Sequence, residues 1–510
     1  MTTITIYDGA CTIGGNKIYV EENGRGLFLD FGMSFAKYSK FYEDYLSERT
    51  ARGICDLWHL GLIPKINNYR ADLIPSDLRS DVSNCRKLRV NAVLISHAHL
   101  DHAGNVALLD ENVGIVGSPI TIAILKAMND TSGSRMGSEL PYYRLRTFAD
   151  DEMFIVKADN KADYPSREII LTDRCDELEN FLFYRPGQES SRAKKIMREK
   201  VHTLDEVEMG FEVKAFPVDH SIFGALAYVV EGDVSIAYTG DFRLHGHNSE
   251  KTKDFIKEAS NASILITEGT RAGRDDTNVS EREVYENAKA IVEDAKGLVV
   301  ADFSSRNFER LNIFKKIADK SGRELVITPK VAYLLHALKL VDGVDRLDGL
   351  KIYENFKATM QKWEQVVIMD NYSDLYTSPL EIRKNQENYI LCFSFYDLPH
   401  LIDIMPNGGT YIYSSSEAYG EEQEFSFLRL WNWLQYFGFE VHGFRIDMNG
   451  NLIFDGGLHA SGHISRKELI EVIEKIDPDR IIPVHTENPM WFAENFENTV
   501  VVKDGETVRV

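Results

Sequence analysis

Thiol chemistry is nearly absent from this chain. Its five cysteines, Cys11, Cys55, Cys85, Cys175 and Cys392, are odd in number, dispersed and without a CxxC spacing, which excludes a disulfide framework or a thiolate zinc site and leaves them as small core residues. No apolar run approaches the roughly 18 residues of a membrane span. Met1-Thr2-Thr3-Ile4-Thr5 also lacks the basic start and apolar stretch of a secretory signal, so the expectation is a cytoplasmic protein with no membrane partner. Internal repeats and low-complexity segments are missing as well. So is positive charge: the net charge is −21, which opposes an indiscriminate nucleic-acid coat. It does not exclude a nuclease, because divalent cations reverse the local field where a phosphate binds.

What is present is an ordinary globular composition, 44% hydrophobic and 27% charged over 510 residues. That length exceeds the roughly 250 to 300 residues at which single cores stop growing, so two lobes or more are expected. The opening reads as a β-meander: Ile4 to Tyr7, Lys17 to Val20 and Leu27 to Gly32, joined by Gly-rich turns. From Val106 the pattern turns helical through Ile120 to Met128, and the polar stretch 147–207 reads as an elaborated insertion. Ala225 to Val230 and Val234 to Tyr238 flank Glu231-Gly232-Asp233 as a hairpin. Ile264 to Thr267 is an apolar run ending at Glu268, and 271–280 reads as a linker, after which Ser280 and Glu283 form a capping-box pattern for a helix from Glu281.

Strands and helices then alternate: Leu298 to Phe303, helix Asn307 to Lys320, Leu325 to Thr328, Tyr389 to Phe395, helix Leu398 to Met405, Thr410 to Tyr413, helix Phe425 to Phe437, and Phe439 to Phe444. That is the rhythm of a parallel α/β sheet. Ile481 to Val484 forms a last apolar run ending on His485, followed by Val500 to Val502 and Val508 to Val510. The basic run Arg192, Lys194, Lys195, Arg198 and Lys200 has helical spacing and is read as a solvated face rather than a nucleic-acid contact.

The chemistry concentrates in His97-Ala98-His99-Leu100-Asp101-His102, directly after the apolar run Val90 to Ile95. Imidazole nitrogens mixed with a hard carboxylate in so tight a loop favour zinc, with manganese as the alternative. His97, Asp241, Glu268 and His485 each follow an apolar run, as groups presented along the edge of one sheet would. A binuclear centre needs about three protein ligands per metal plus a shared one. His97, His99, Asp101, His102, His220, Asp241 and His485 supply that number, and Asp241 suits a bridge because its two oxygens can face different ions.

At these residues the chain resembles the metallo-β-lactamase fold hydrolases: Asp30 in Leu29-Asp30-Phe31-Gly32, the HxHxDH segment, His220, and Asp241 in Thr239-Gly240-Asp241-Phe242. Glu268 in Thr267-Glu268-Gly269-Thr270, His463 in His459-Ala460-Ser461-Gly462-His463 and His485 in Pro483-Val484-His485 are similar to the β-CASP nucleic-acid branch, and most similar to its RNase J group. The resemblance implies an α/β fold, an αββα metallo-β-lactamase sandwich over 1–277 and 446–510, interrupted by a β-CASP α/β domain over 278–445.

It further implies two divalent ions, zinc or manganese, held by His97, His99 and His220 on one side and by Asp101, His102 and His485 on the other, with Asp241 between. Asp30 would orient a ligating histidine. The reaction implied is hydrolysis of a phosphodiester by a hydroxide bridging two metals, with His463 as general acid supported by Glu268, or else as a phosphate anchor. Asp101 and Asp241 would thus be catalytic as well as ligating.

Ser304-Ser305-Arg306 before a helix, Ser414-Ser415-Ser416, His459 and Ser461 are candidates for a substrate phosphate, although capping and turn chemistry explains each serine run equally well. His245 and His247 are read as an exposed loop. His485 stands where DNA-cutting members of the branch have an aliphatic residue, which favours single-stranded RNA and a 5′-to-3′ exoribonuclease, with endonuclease activity as an added mode. A DNA nuclease of repair or defence is the alternative. Only 25 residues follow His485, so a homodimer built on a C-terminal domain is not indicated. Arg306-Asn307-Phe308 departs from the histidine expected there in bacterial RNase J.

Overall fold

The computed structural model describes residues 1–43, 45–133, 136–190, 193–275, 278–415 and 427–510. Arg192, Ser416, two residues of the 271–280 linker and the expected start of a helix at Phe425 lie outside the described residues.

Two sheets stack face to face. The first runs in the order Glu506–Arg509, Thr2–Asp8, Lys17–Glu22, Arg25–Phe31, Ala92–Leu94, Gly114–Gly117, Ile169–Leu171, Val201–Thr203. The opening meander is antiparallel, and pairing becomes parallel from Arg25–Phe31 onward. The second runs Glu212–Pro217, Leu226–Glu231, Ser235–Tyr238, Ile264–Glu268, Arg480–Val484, with the expected hairpin at 226–238.

Side chains alternate across the first sheet as the strand period of two requires. Leu27 and Leu29 join Tyr228, Ile236, Ile264 and Ile482 between the sheets, whereas Phe28 faces the opposite way; Phe31 joins Phe28 because the alternation breaks at Asp30, φ 57°. Helices Ser249–Glu258 and Arg466–Ile476 cover the outer face of the second sheet through Phe255, Leu469 and Ile473, completing an αββα sandwich.

After Glu268 the chain leaves this sandwich and builds a parallel seven-stranded sheet, ordered Tyr376–Thr377, Leu350–Tyr353, Glu324–Ile327, Tyr389–Cys392, Val299–Asp302, Gly409–Tyr413, Phe439–His442. The helix at Glu281–Asp294 begins with the capping box read from sequence: Ser280 N–H donates to Glu283 at 2.7 Å, and Glu283 N–H donates to Ser280 Oγ at 3.2 Å. The chain then returns to the second sheet, where Arg480–Val484 pairs in parallel with Ile264–Glu268 and Val484 stands opposite Glu268. This return brings the ends of two distant strands side by side.

Several expectations change. A strand, Gly114–Gly117, interrupts the segment read as helical from Val106, and the helix is Pro119–Thr131. The stretch 147–207 is not merely an insertion. It contributes the edge strands Ile169–Leu171 and Val201–Thr203, each only three residues long and therefore too short to show a period. The basic residues from Lys194 to Lys200 are not helical, although Lys195, Arg198 and Lys200 are solvent-exposed as expected. The helix expected at 398–405 is a 3-10 turn, Phe395–His400, followed by one α-turn ended by Met405 at φ 51°. Val500 to Val502 forms no strand, and Glu506–Arg509 does.

Candidate metal centre

The HxHxDH segment leaves strand Ala92–Leu94 and closes into a single helical turn, Leu100–Ala103, with His99 at its N-cap position. That turn packs hard against Gly32, where a Cβ would lie 1.6 Å from Asp101 O. Only glycine fits there. Asp241 follows Ser235–Tyr238 through Gly240, at φ +54°, a left-handed position that a side chain strains. Glu268 ends its strand, and His485 follows Arg480–Val484. The four strand-end groups thus come from two facing sheets rather than from one: His97 from the first, and Asp241, Glu268 and His485 from neighbouring strands of the second.

The ligand atoms of His97, His99 and His220 lie within 4.8 Å of one another, as do those of Asp101, His102, Asp241 and His485. Asp241 Oδ2 stands between the groups, 3.7 Å from His97 Nε2, 4.0 Å from His220 Nε2, 3.1 Å from His102 Nε2 and 3.6 Å from His485 Nε2. All seven residues are buried. Asp101 Oδ1 and Asp241 Oδ1 are sealed from solvent without a hydrogen-bond partner. Unpaired buried polar atoms of this kind are costly unless something else satisfies them. Mixed nitrogen and oxygen donors around such a gap fit divalent metal ions.

The electrostatics of the His97, His99 and His220 group agree with this use, whereas, against burial, Asp241 and Asp101 raise the pKa of His102 and His485. Burial pushes His97 and His99 well below the ordinary histidine value, helped by neighbouring imidazoles, and takes His220 down to about 4. These rings are therefore neutral, the form that ligates a metal. Burial opposes ionisation of Asp241, yet His102 and His485 beside it hold it well below the usual carboxylate range.

A layer of hydrogen bonds fixes the ligands. Asp30 Oδ1 accepts from Ser96 N–H at 2.7 Å. Its Oδ2 accepts from Ser96 Oγ at 2.7 Å and Tyr238 Oη at 2.6 Å, and lies 2.7 Å from His102 Nδ1. His220 Nδ1 donates to Gly462 O at 2.6 Å, and Thr270 Oγ1 lies 2.9 Å from His485 Nδ1 and 3.2 Å from His463 Nδ1. His463 Nδ1 meets the Glu268 carboxylate at 3.0 and 3.1 Å, and lies 3.9 Å from Asp241 Oδ2. Burial raises the Glu268 pKa, but His463 overrides it and holds the group below its ordinary value. Ser96, Tyr238, Thr270 and Gly462 do not stand out in the sequence. Their only signal is adjacency to the motifs.

The phosphate candidates scatter more widely. Arg306 Nη1 donates to Ala98 O at 3.1 Å, inside the histidine motif, while Ser304 is half-buried and Ser305 exposed at the start of helix Phe308–Ser321. Ser461 Oγ accepts from His463 N–H at 3.1 Å. Ser414 is placed differently from expectation: fully buried, it donates to Leu458 O at 2.6 Å and accepts from Arg310 at 2.5 Å. Ser415 is buried beside it, and His459 is half-buried with Nδ1 sealed. The His245 side chain is not exposed, being 8% accessible and donating to Ser461 O at 3.0 Å; His247 is exposed.

A buried charge network, unsuspected from sequence, ties the inserted lobe to this centre. Arg243 bonds Asp219 Oδ1 at 3.2 Å, Ser461 O at 3.1 Å and the carboxylate of Glu309, and lies 3.5 Å from Glu281. Arg310 reaches Glu281 at 3.2 Å and Leu458 O at 3.0 Å. Asp219 and Ser461 adjoin His220 and Gly462, so the network positions the loop that carries His463.

Residues 81–152 match the metallo-β-lactamase superfamily, and residues 457–509 match the Zn-dependent metallo-hydrolase RNA specificity domain. Among curated proteins the chain is similar to Ribonuclease J of Sinorhizobium meliloti, 23% identical over 82% of this chain and 61% of that protein. It is also similar to Ribonuclease J of Mycoplasma genitalium, 22% identical over 98% and 71%, and of Pyrococcus abyssi, 22% identical over 96% and 90%. A crystal structure of a protein of unknown function from Enterococcus faecalis V583 shares the fold, with a TM-score of 0.65 at 22% identity over 99% of both chains. Fold, donor cluster and matched segments define a metallo-β-lactamase superfamily protein. Over most of its length the chain is similar to Ribonuclease J.

Proposed function

We propose that the chain is a metal-dependent ribonuclease that hydrolyses RNA phosphodiesters, RNase J-like in acting on single-stranded RNA from the 5′ end, with endonucleolytic cleavage as a second mode. The observation that carries this reading is the convergence of seven buried donors with the Glu268–His463 pair 3.0 Å apart at one end of the sandwich.

His97, His99 and His220 would hold one ion, Asp101, His102 and His485 the other, and Asp241 both. Zinc is the first choice and manganese the second. When bound, such ions supply Lewis acidity toward phosphoryl oxygens and acidify water. The chain's own part follows from its hydrogen bonds. Asp30 fixes the His102 ring, and Gly462 O fixes that of His220. The Glu268 carboxylate holds His463 Nδ1, so that the other ring nitrogen, Nε2, passes a proton to the leaving oxygen. Asp101 and Asp241 place negative charge where cations must sit.

Arg306, Ser304 and Ser305, at the N-terminus of helix Phe308–Ser321, would meet a terminal phosphate, with Ser461, His459 and Ser415 as further candidates; Ser414, bonded to Leu458 O and Arg310, would act only by holding Ser415 in place. Residues 1–277 and 446–510 would form the hydrolase domain and 278–445 the inserted domain, in a cytoplasmic enzyme for which the sequence does not indicate a homodimer.

The test is a time course on RNA bearing a 5′-monophosphate or a 5′-hydroxyl. Mononucleotides released first from the monophosphate RNA support the directional reading. A ladder of internal fragments that is indifferent to the 5′ end contradicts it.

A further inference from the structure

A cavity of about 680 Å³ opens between the inserted sheet and the first lobe, and no residue of the metal centre lines it. Its size is that of small-ligand sites, roughly 300–1,000 Å³. One wall is formed by Asn355, Thr328 and Asp397, which lie just beyond the carboxyl ends of Leu350–Tyr353, Glu324–Ile327 and Tyr389–Cys392, three adjacent parallel strands. Open parallel sheets receive ligands at that edge.

The opposite wall begins where helix Pro119–Thr131 ends. This helix lies antiparallel to Pro329–Asp342: Tyr333, near the start of one, donates to Asp130, near the end of the other, at 2.6 Å. The other ends of the pair, Pro119 and Asp342, line a separate cavity that includes His220. A helix of this length spans roughly 20 Å, so the first cavity lies about that far from the metal centre along the helix pair.

Its charge is opposite to that of the chain. Three of the wall's four carboxylates are already neutralised: Asp130 by Lys126 at 2.5 Å, Glu139 by Arg146 at 2.6 and 3.0 Å, and Glu364 by Lys357; the fourth, Asp397, accepts from Ser394 N–H at 3.0 Å and Ser394 Oγ at 2.8 Å, and burial raises its pKa. Among the described residues, Lys330, Lys362 and Arg185 face the same space and form no ion pair. Tyr164 and Trp363, each 8% exposed, contribute aromatic wall, with the Arg185 guanidinium 4.8 Å from the Tyr164 ring. Asn355 Oδ1 and Glu364 Oε1, two acceptors in the wall, lack any donor. Glu364 also opens a π-helical turn running to Met369, a geometry that recurs at functional sites.

Unpaired cations, aromatic surface and vacant acceptors in one ligand-sized cavity are the complement of a nucleotide. We propose that this cavity is a second nucleotide-binding site. Lys330, Lys362 and Arg185 take the phosphate, the aromatic wall takes the base, and Asn355 and Glu364 accept N–H or O–H donors of base or ribose. The site does not depend on the hydrolytic reading. Its occupant is either a free nucleotide or one unit of a bound RNA strand, and a void of about 40 Å³ shared with Thr328 and Asp397 continues toward Ser305.

Calorimetric titration of the full, EDTA-treated chain with nucleoside 5′-monophosphates tests this, with inorganic phosphate and the nucleosides as controls. Saturable binding of the nucleotide is expected, weakened at least tenfold by Lys330→Glu with Lys362→Glu, two exposed positions whose reversal leaves the melting temperature unchanged. The same binding is expected to survive His99→Ala with His220→Ala. Displacement of the nucleotide by a single-stranded RNA oligomer identifies a strand unit, and simultaneous binding identifies a free nucleotide. Absence of binding, binding indifferent to the charge reversal, or binding lost with the histidines overturns the proposal, in each case without reference to RNA cleavage.

Discussion

Glu268 and His463 stand 195 residues apart in the chain and meet at 3.0 and 3.1 Å, because the strand bearing Glu268 and the loop bearing His463 flank the same inserted lobe. The carboxylate also accepts from Phe242 N–H at 3.1 Å, which fixes its position next to Asp241. Glu268→Gln keeps the size and a hydrogen bond but removes the charge that favours a protonated imidazole. Turnover is expected to fall roughly 10²- to 10³-fold, within the range of general acid catalysis, with metal content unchanged. Loss of metal together with activity would make the pair a structural element instead.

Asp30 makes four contacts between 2.6 and 2.7 Å, one of them to His102 Nδ1. Outer carboxylates of this kind orient a ligating ring and raise its basicity. Asp30→Asn is expected to weaken metal affinity by roughly 10- to 100-fold, read by competition with a chromogenic chelator. Tyr238→Phe should produce a smaller change in the same direction.

Arg243 is fully buried among Asp219, Glu281 and Glu309. Arg243→Met removes the ion-pair partner of buried Asp219 and Glu309, while Glu281 keeps Arg310, and a loss of about 3–5 kcal/mol is expected, measurable by denaturant unfolding. Arg243→Lys retains the charge but not the planar fork that reaches Ser461 O as well. It should fold and show reduced kcat with KM little changed, because the loop of His463 is displaced while the rest of the cleft is intact.

Asp302 ends an interior strand of the inserted sheet, Val299–Asp302, and is 3% exposed and accepts from Tyr411 Oη at 2.5 Å. Burial lifts its pKa from 3.8 to about 7. A carboxyl raised in the folded state contributes stability that is full below its unfolded value and is lost as pH climbs through about 7. Asp302→Asn does not titrate. In EDTA, it should gain on the natural chain by roughly 2–3 kcal/mol between pH 5 and 8; a constant difference between the two would show that the carboxyl is ionised throughout.

The centre is legible in the sequence because its donors sit in short motifs at strand ends, and strands end visibly where an apolar run meets polar residues. The capping box at Ser280 is legible for the same reason, since both partners lie within one turn. What supports the centre is not legible. Arg243 and Glu309 are 66 residues apart and belong to different lobes, and only the docked fold makes them a pair. Ile169–Leu171 is too short to carry a period. It becomes a strand because Gly114–Gly117 offers it an edge. His245 looks like loop from its Gly-rich surroundings and is drawn inward by Ser461 O and Glu468.

The central claim, metal-dependent cleavage of RNA by the 97–102 cluster, is tested most directly by incubating the zinc- or manganese-loaded chain with matched single-stranded RNA and DNA, beside Asp101→Ala with His102→Ala. The account predicts that RNA is cleaved and DNA is not, that EDTA abolishes cleavage, and that the double variant is inactive with less bound metal. DNA cleavage in preference to RNA, or RNA cleavage that persists in the double variant, would contradict it.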